Sequence, residues 1–489
     1  MSRSGGLRRV KAYGDTLVPG REHERFEQMV NGVPVWAATV TRQVDSARLP
    51  VSVFGEVYDG LDAVPATATV SPAAARAAAA ADAGVSLGEV PAPLYMLVTD
   101  GGPRLVYVIR VAAPGFSVTR YFIDARSGTI VQKRNDLKRQ TVGTGTGVVG
   151  AEKKISTTPF AGTFIAADSL RPPLLDTFNM RGNIGAVLDF LNGLRPLFQS
   201  DYASDSDNRW TDAAVVDAHV YSGWTYDYLF KRFGRLGLDD HNLPITNLVH
   251  PANRSDFFFQ YEYIPDFFDN AGYVGDGIMI YGDGFPAGLT VGGQTIDYFS
   301  GALDVVAHEL THGVTDYTSQ LDYFGESGAL NEAFSDIVAT SVEFFFQPAG
   351  AGLAQADYLI GEDVVRPGGF RSLSDPAAFD QPDHYSLRYT GRDDEGGVHI
   401  NSGIATHAFY LAVEGGVNRT SGRAVTGVGR ANREQIERVF YRAFTSMLPA
   451  SARFATARSA TIQAARDLYG AGSAVERAVT DAWMAVGVS

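Results

Sequence analysis

Val305-Val306-Ala307-His308-Glu309-Leu310-Thr311-His312-Gly313 is the stretch from which the rest of the chain can be read. Helical positions i and i+4 lie one turn apart on one face, so this spacing lets His308 and His312 bind a single metal ion. Glu309 sits beside them, placed to accept a proton from a water that the metal has acidified. The same spacing also arises by chance on buried helices whose histidines are hydrogen-bonded and inert. A second segment bears on that alternative. Gly328-Ala329-Leu330-Asn331-Glu332-Ala333-Phe334-Ser335-Asp336 follows a short loop and opens another run with helical apolar periodicity. Glu332 would complete a set of two histidines and one carboxylate, leaving a fourth position open. Asp336, one turn further on, can orient a ligand histidine from behind. Either acid alone reads as an ordinary helix-surface charge; four residues in two coordinated spacings do not.

Composition narrows what surrounds this centre. At 489 residues the chain is too long for one core, and its 45% hydrophobic and 20% charged residues are those of a globular protein. It has no cysteine, which excludes disulfides, thiolate metal sites and cysteine nucleophiles. No stretch is apolar for long enough to span a bilayer. The N-terminal residues are basic without an apolar core, so no complete secretory signal is visible. The net charge of −14 is unevenly spread, with +4 over residues 1–139 and −18 over the remainder. An acidic body suits cations and argues against nucleic acid as a partner.

Working outward, Val33 to Val40 and Val51 to Tyr58 are β-rich. Ser71, Pro72, an alanine-rich run and Gly84 spell the start, body and stop of a helix. Leu94 to Val98, Arg104 to Val111 and Val118 to Asp124 read as a strand meander, with a turn over Asp124–Thr129 before Ile130-Val131. Asn135 to Gly147, polar and rich in glycine and threonine, reads as an exposed linker. Beyond it lies glycine- and aromatic-rich material with one helix over Asp212 to Phe233. From Leu303 onward helical patterns dominate.

AHELTHGVTDYTS (residues 307–319) and ESGALNEAFSD (326–336) resemble the thermolysin family of metallopeptidases. The resemblance continues in order through SLSDP, QPDHYSLRYTG, GGVHINSG and DLYG, over roughly residues 143–489. It implies an α+β, two-lobed catalytic unit. A β-rich lobe would span 140–302 and a helical lobe 303–489, with zinc in the cleft between them. It implies one catalytic zinc on His308, His312 and Glu332, the ligand set that thermolysin itself exemplifies, with Glu309 as general base. Tyr323 and His399 would meet the developing oxyanion, Asp394 would steady His399, Asn270 and Ala271 would hold the substrate backbone, and Arg371 would bind a substrate carbonyl. Val305, Ile360, Val364 and Phe370 would line the pocket on the leaving-amine side, which implies cleavage before bulky apolar residues.

Asp304, Glu343, Asp357 and Glu362 match the family's structural calcium ligands, and Asp205 with Asp207 match a peripheral site. Leu359 stands where the family has an acid shared by two ions, which implies one calcium there. Residues 1–139 resemble the fungalysin/thermolysin propeptide motif and an adjoining PepSY-type domain through NGVPVWAATV and RYFIDARSGTIV. That implies a secreted, monomeric endopeptidase made as a self-processing zymogen, acting on proteins and peptides and inhibited by its own propeptide, with no membrane or nucleic-acid partner. Two rivals stand beside this reading. A zinc aminopeptidase would need an anchor for a free amine of the G-x-M-E-N kind, which the chain lacks. A non-enzymatic binding or inhibitory protein on a decayed scaffold would first lose Glu309 or a ligand, and all four residues are present.

Overall fold

The structure, a computed structural model, describes residues 5–15, 18–99, 101–113, 117–136 and 141–489. Contacts divide the chain into two units, residues 1–138 and 139–489.

The first unit is a twisted sheet with one helix packed on it. Its strands are β1 (Gly5–Gly14), β2 (Glu22–Val30), β3 (Val33–Val44), β4 (Pro50–Gly55), β5 (Leu94–Leu97), β6 (Arg104–Ala113), β7 (Ser117–Asp124) and β8 (Ile130–Asn135). They run in the order β1-β2-β3-β5-β6-β7-β8, with β4 also pairing β3. The helix α1 (Pro72–Ala83) forms where the sequence signals place it. Ser71 Oγ accepts the Ala74 amide at 3.1 Å, and Gly84 ends the helix at φ 66°. Its small Ala75 and Ala79 let it lie close on Val35, Met96, Ile109 and Tyr121 of the sheet.

The second unit carries two five-stranded sheets followed by helices. One sheet joins β9 (Thr141–Thr146), β10 (Glu152–Phe160), β11 (Thr163–Ile165), β14 (Ser204–Asp205) and β15 (Arg209–Trp210). The other joins β12 (Ala167–Asp168), β13 (Leu175–Asn179), β16 (Ile245–Val249), β18 (Ile278–Tyr281) and the antiparallel edge strand β17 (Ala271–Tyr273). β9 corrects the expectation of a linker over residues 135–147. Residues 137–140 lie outside the described residues, but Thr141–Thr146 is a paired strand. Its glycines serve close approach: a Cβ on Gly143 would lie 2.3 Å from Asn208 Oδ1, and one on Gly145 would lie 2.5 Å from Val216 Cγ2. A glycine-rich stretch reads as flexible in sequence, whereas here it is crowded.

α2 (Ile184–Leu191) is short, and α3 (Ala213–Phe233) is capped by Asp212, whose carboxylate accepts the Val215 amide at 3.2 Å. The helical region opens at α4 (Leu303–Asp316) and continues with α5 (Gly325–Phe346), α6 (Asp393–Glu414), α7 (Arg433–Ser446), α8 (Phe454–Tyr469) and α9 (Ala474–Ala485). Ser327 to Glu343 of α5 are buried without interruption, so this helix is enclosed on every side and the polar groups it carries are held inside the protein. One apolar core runs from α3 through α9. No helix among the described residues is long and apolar enough to cross a membrane.

Candidate active site

α4 and α5 pack against each other and bring the two motifs face to face. His308 Nε2 lies 3.0 Å from His312 Nε2, and each lies 3.4 Å from an oxygen of Glu332. Three ligand atoms, each about 2.0–2.2 Å from a tetrahedral ion, would stand about 3.3 Å apart, so these separations fit zinc. The other imidazole nitrogens are committed. His308 Nδ1 lies 2.9 Å from Asp336 Oδ1, and His312 Nδ1 lies 3.0 Å from Asn331 Oδ1. With Nδ1 donating to those oxygens, both rings turn Nε2 toward Glu332, where a metal ion can take the place of an Nε2 proton. Glu332 is 0% exposed, and its Oε2 has no hydrogen-bond partner among the described residues. A buried, unsatisfied carboxylate oxygen costs several kcal/mol unless a cation meets it. Burial pushes the Glu332 carboxyl up, but His308, His312 and His399 hold it well below the usual carboxylate range. Burial likewise opposes charge on His308, yet Glu332 and Asp336 outweigh it and raise its pKa to about 10. Glu332 and Asp336 thus draw positive charge to His308.

Glu309, one residue after the first histidine, turns its carboxylate into the same cleft, and its Oε2 accepts the Tyr273 amide of β17 at 2.9 Å. Gly313 permits this proximity, because a Cβ there would lie 3.1 Å from the Tyr273 ring. Opposite stand Tyr323, whose hydroxyl donates to Glu332 Oε1, and His399, whose Nε2 lies 3.2 Å from that hydroxyl. His399 Nδ1 lies 2.6 Å from Asp394 Oδ1, while Asp394 Oδ2 accepts the amides of His399 and Ile400. Asp394 reaches this position through a left-handed turn, Asp394 to Gly397, from which the rest of α6 departs. His308, Glu309, His312, Tyr323, Glu332 and His399 line a cleft of about 750 Å³ that also takes in Asn270, Ala271 and Arg371.

Residues 142–316 match the thermolysin metallopeptidase catalytic domain, 319–488 its α-helical domain, and 6–57 the fungalysin/thermolysin propeptide motif. The chain is 38% identical to the thermostable neutral protease NprT of Geobacillus stearothermophilus, over 95% of this chain and 83% of that protein. It is also 38% identical to a thermolysin of Alicyclobacillus acidocaldarius, with the same coverage of both chains. The chain belongs to the thermolysin family of metallopeptidases. A solved structure, the precursor of protealysin from Serratia proteamaculans, matches at 29% identity and a TM-score of 0.48, over 64% of this chain and 87% of that one. By its family models and its neutral-protease and thermolysin relatives, this thermolysin-family chain is a zinc-dependent endopeptidase carrying its own propeptide motif.

Other expected residues of this peptidase meet varied fates. Arg371 binds Asp336 through Nε (2.9 Å) and Nη2 (2.7 Å), so one buried carboxylate serves both the arginine and His308. Val305, Ile360 and Phe370 line the cleft, but Val364 does not. It is buried in the apolar layer behind, with Phe299, Ala302, Val305 and Val365, and Phe299 takes the place at the wall. A second acidic group gathers Asp304 at the start of α4, Glu343 at the end of α5, and Glu362, with ligand atoms within 4.8 Å of one another. Neither oxygen of Glu343 or of Glu362 has a hydrogen-bond partner among the described residues. Burial, then Asp304 and Asp357, push Glu362 up to about 9, which marks a cluster short of positive charge. Asp357 stands outside that trio, with Oδ1 spent on the Leu359 amide at 2.7 Å. Asp205 and Asp207 build a turn instead: their oxygens accept the Asp207 and Arg209 amides at 2.9–3.1 Å, and no third acid converges on them among the described residues.

Sequence reasoning missed several participants. Asn331, which orients His312, precedes Glu332 directly in the second motif, and that adjacency was its only signal. Asp363 is 1% exposed, with an unpartnered Oδ2 near the acidic trio, and was masked by its neighbour Glu362. Gln381, whose Nε2 donates to the His399 carbonyl at 2.5 Å, lies in no recognisable pattern.

Proposed function

We propose that His308, His312 and Glu332 hold the zinc ion and that Glu309 is the general base of peptide-bond hydrolysis. The convergence of the two Nε2 atoms on a buried, unsatisfied Glu332 oxygen carries this reading. When bound, zinc supplies a Lewis acid that polarises the scissile carbonyl and acidifies the attacking water. Glu309 takes that water's proton and passes it to the leaving amine, with its carboxylate held in place by the Tyr273 amide. Tyr323 and His399 donate to the oxygen on which charge develops, and Asp394 fixes the orientation of the His399 ring through Nδ1. Asn270 and Ala271, where edge strand β17 begins, hold the extended substrate, and Arg371 meets a substrate carbonyl with a donor that Asp336 leaves free.

Phe299, Val305, Ile360 and Phe370 form the pocket for a bulky apolar residue just after the cut bond. Asp304, Glu343 and Glu362 hold one structural calcium, since buried oxygens without partners are the donors this hard cation requires. Residues 1–139 act as a propeptide, which the enzyme removes itself before it works as a secreted monomer. Metal analysis together with casein hydrolysis, with and without a chelator, tests the reading. One zinc per mature chain and chelator-sensitive activity are expected. Glu332→Ala should lose the metal, whereas Glu309→Ala should keep it and lose at least 100-fold in rate. Zinc absent from the purified protein, with no gain on adding it, would remove the basis of the proposal.

A further inference from the structure

The lining of the catalytic cleft changes character along α4, and we infer that this peptidase favours peptides bearing lysine or arginine two residues before the bond it cuts. The inference rests on the endopeptidase reading above and extends it to the acyl side of the substrate. Val305, His308, Glu309, His312 and Asp316 all line the cleft, so α4 forms its floor. At 1.5 Å per residue, the line from Val305 to Asp316 spans about 16 Å, with the histidines in its middle. An extended peptide advances about 3.3 Å per residue, so one helical turn beyond His312 corresponds to about two substrate residues.

The two ends of that line differ. At the Val305 end stand Phe299, Ile360 and Phe370, assigned above to the residue after the cut. Asp316 marks the other end, and Asp322, from the loop before Tyr323, lines the same cleft. Both side chains are exposed, and neither pairs with a lysine or arginine among the described residues. Asp276, in the turn between β17 and β18, adds a third carboxylate nearby and accepts the Tyr317 hydroxyl at 3.3 Å. The wall of the same cleft includes Tyr273, Val274 and Leu321. Such a wall suits a long basic side chain, whose methylenes lie along apolar surface while the charged head reaches the carboxylates. That the cleft binds a ligand stands on separate ground, because the buried Glu332, with its unpartnered Oε2, opens on the same cavity.

A set of quenched fluorescent peptides tests this. All carry phenylalanine after the bond, and they differ only in lysine, arginine, alanine or glutamate at the second position before it. Each exposed charge pair is worth up to about fivefold. The lysine and arginine peptides should therefore exceed alanine by about three- to fivefold in kcat/KM, and exceed glutamate by about tenfold. The preference should shrink at high salt and fall toward one in the Asp316→Asn/Asp322→Asn double variant. Because each ratio compares peptides on one enzyme, a partly misfolded preparation does not alter it. Equal kcat/KM across the set, or a preference that survives in the double variant, would overturn the inference. Failure to cut any phenylalanine peptide would instead count against the endopeptidase reading itself.

Discussion

His250→Gln should destabilise the peptidase unit at neutral pH and lose that effect as pH rises past 10. The imidazole follows β16, with Nδ1 2.8 Å from Asp283 Oδ1 and Nε2 3.0 Å from Asp212 Oδ1. Tyr298 stands edge-on at 5.2 Å, and Arg254, whose Nη2 binds Asp297, is the nearest fixed cation. Burial alone would lower the pKa of His250, but the two carboxylates outweigh it and carry it to about 10. The gap from the ordinary 6.5 corresponds to about 5 kcal/mol of folding free energy. Since the folded-state value is raised, this stabilisation is complete below pH 6.5 and disappears as pH climbs through 10. Glutamine removes the charge and leaves Asp283, 2% exposed, without its cation, a loss of about 3–5 kcal/mol. At about 2 °C per kcal/mol in a unit of this size, the melting temperature at pH 7 should fall by roughly 6–10 °C. The assay is thermal unfolding between pH 6 and 10.5 at fixed zinc and calcium, in a Glu309→Ala background to prevent self-digestion. A deficit independent of pH, or one under about 1 kcal/mol at pH 7, would refute the reasoning.

Leu359→Glu should tighten calcium binding beside Glu343, because it returns a carboxylate to the edge of a cluster already rich in unsatisfied oxygens. A tenfold gain at saturating calcium is worth about 1.4 kcal/mol, read by calcium titration and melting temperature; a two-ion cluster in the unaltered protein would contradict the premise. Glu395 holds φ 48° in the left-handed turn before His399, a conformation that asparagine tolerates better. Glu395→Asn should therefore raise stability by about 0.5–1 kcal/mol, and a lowered melting temperature would show that the glutamate has another use. If maturation is self-catalysed, mass spectrometry in a protease-deficient host should find wild type cut before the paired strand that begins at Thr141, and Glu309→Ala uncut; equal cleavage of both would assign the cut to another protease.

The parts of this molecule legible in sequence are those governed by local period and local chemistry. α1 announced itself through Ser71, Pro72 and Gly84, because capping is decided within a few residues. His308, His312, Glu332 and Asp336 were legible because helical spacing fixes which residues share a face. Where distant segments determine the outcome, reading failed. Gly143 and Gly145 looked like a loose linker because the side chains crowding them, from Asn208 and Val216, come from more than sixty residues away. Val364 looked like a pocket residue because apolar character cannot distinguish a wall from the layer behind it. His250 gave no sign at all: its partners, Asp212 and Asp283, lie more than thirty residues to either side.

Asp336 has a consequence of its own. Its two oxygens bind His308 on one side and Arg371 on the other, so the proposed metal ligand and the proposed substrate-binding arginine share a single anchor. On the reading proposed above, the two events are linked free energies: whatever metal occupancy does to the carboxylate, the arginine feels, and substrate must act back on metal affinity by the same factor. Substitutions at His308 and Arg371 should accordingly fail to add, and a double-mutant cycle between them would measure how much of zinc's hold on this enzyme is lent to its substrate.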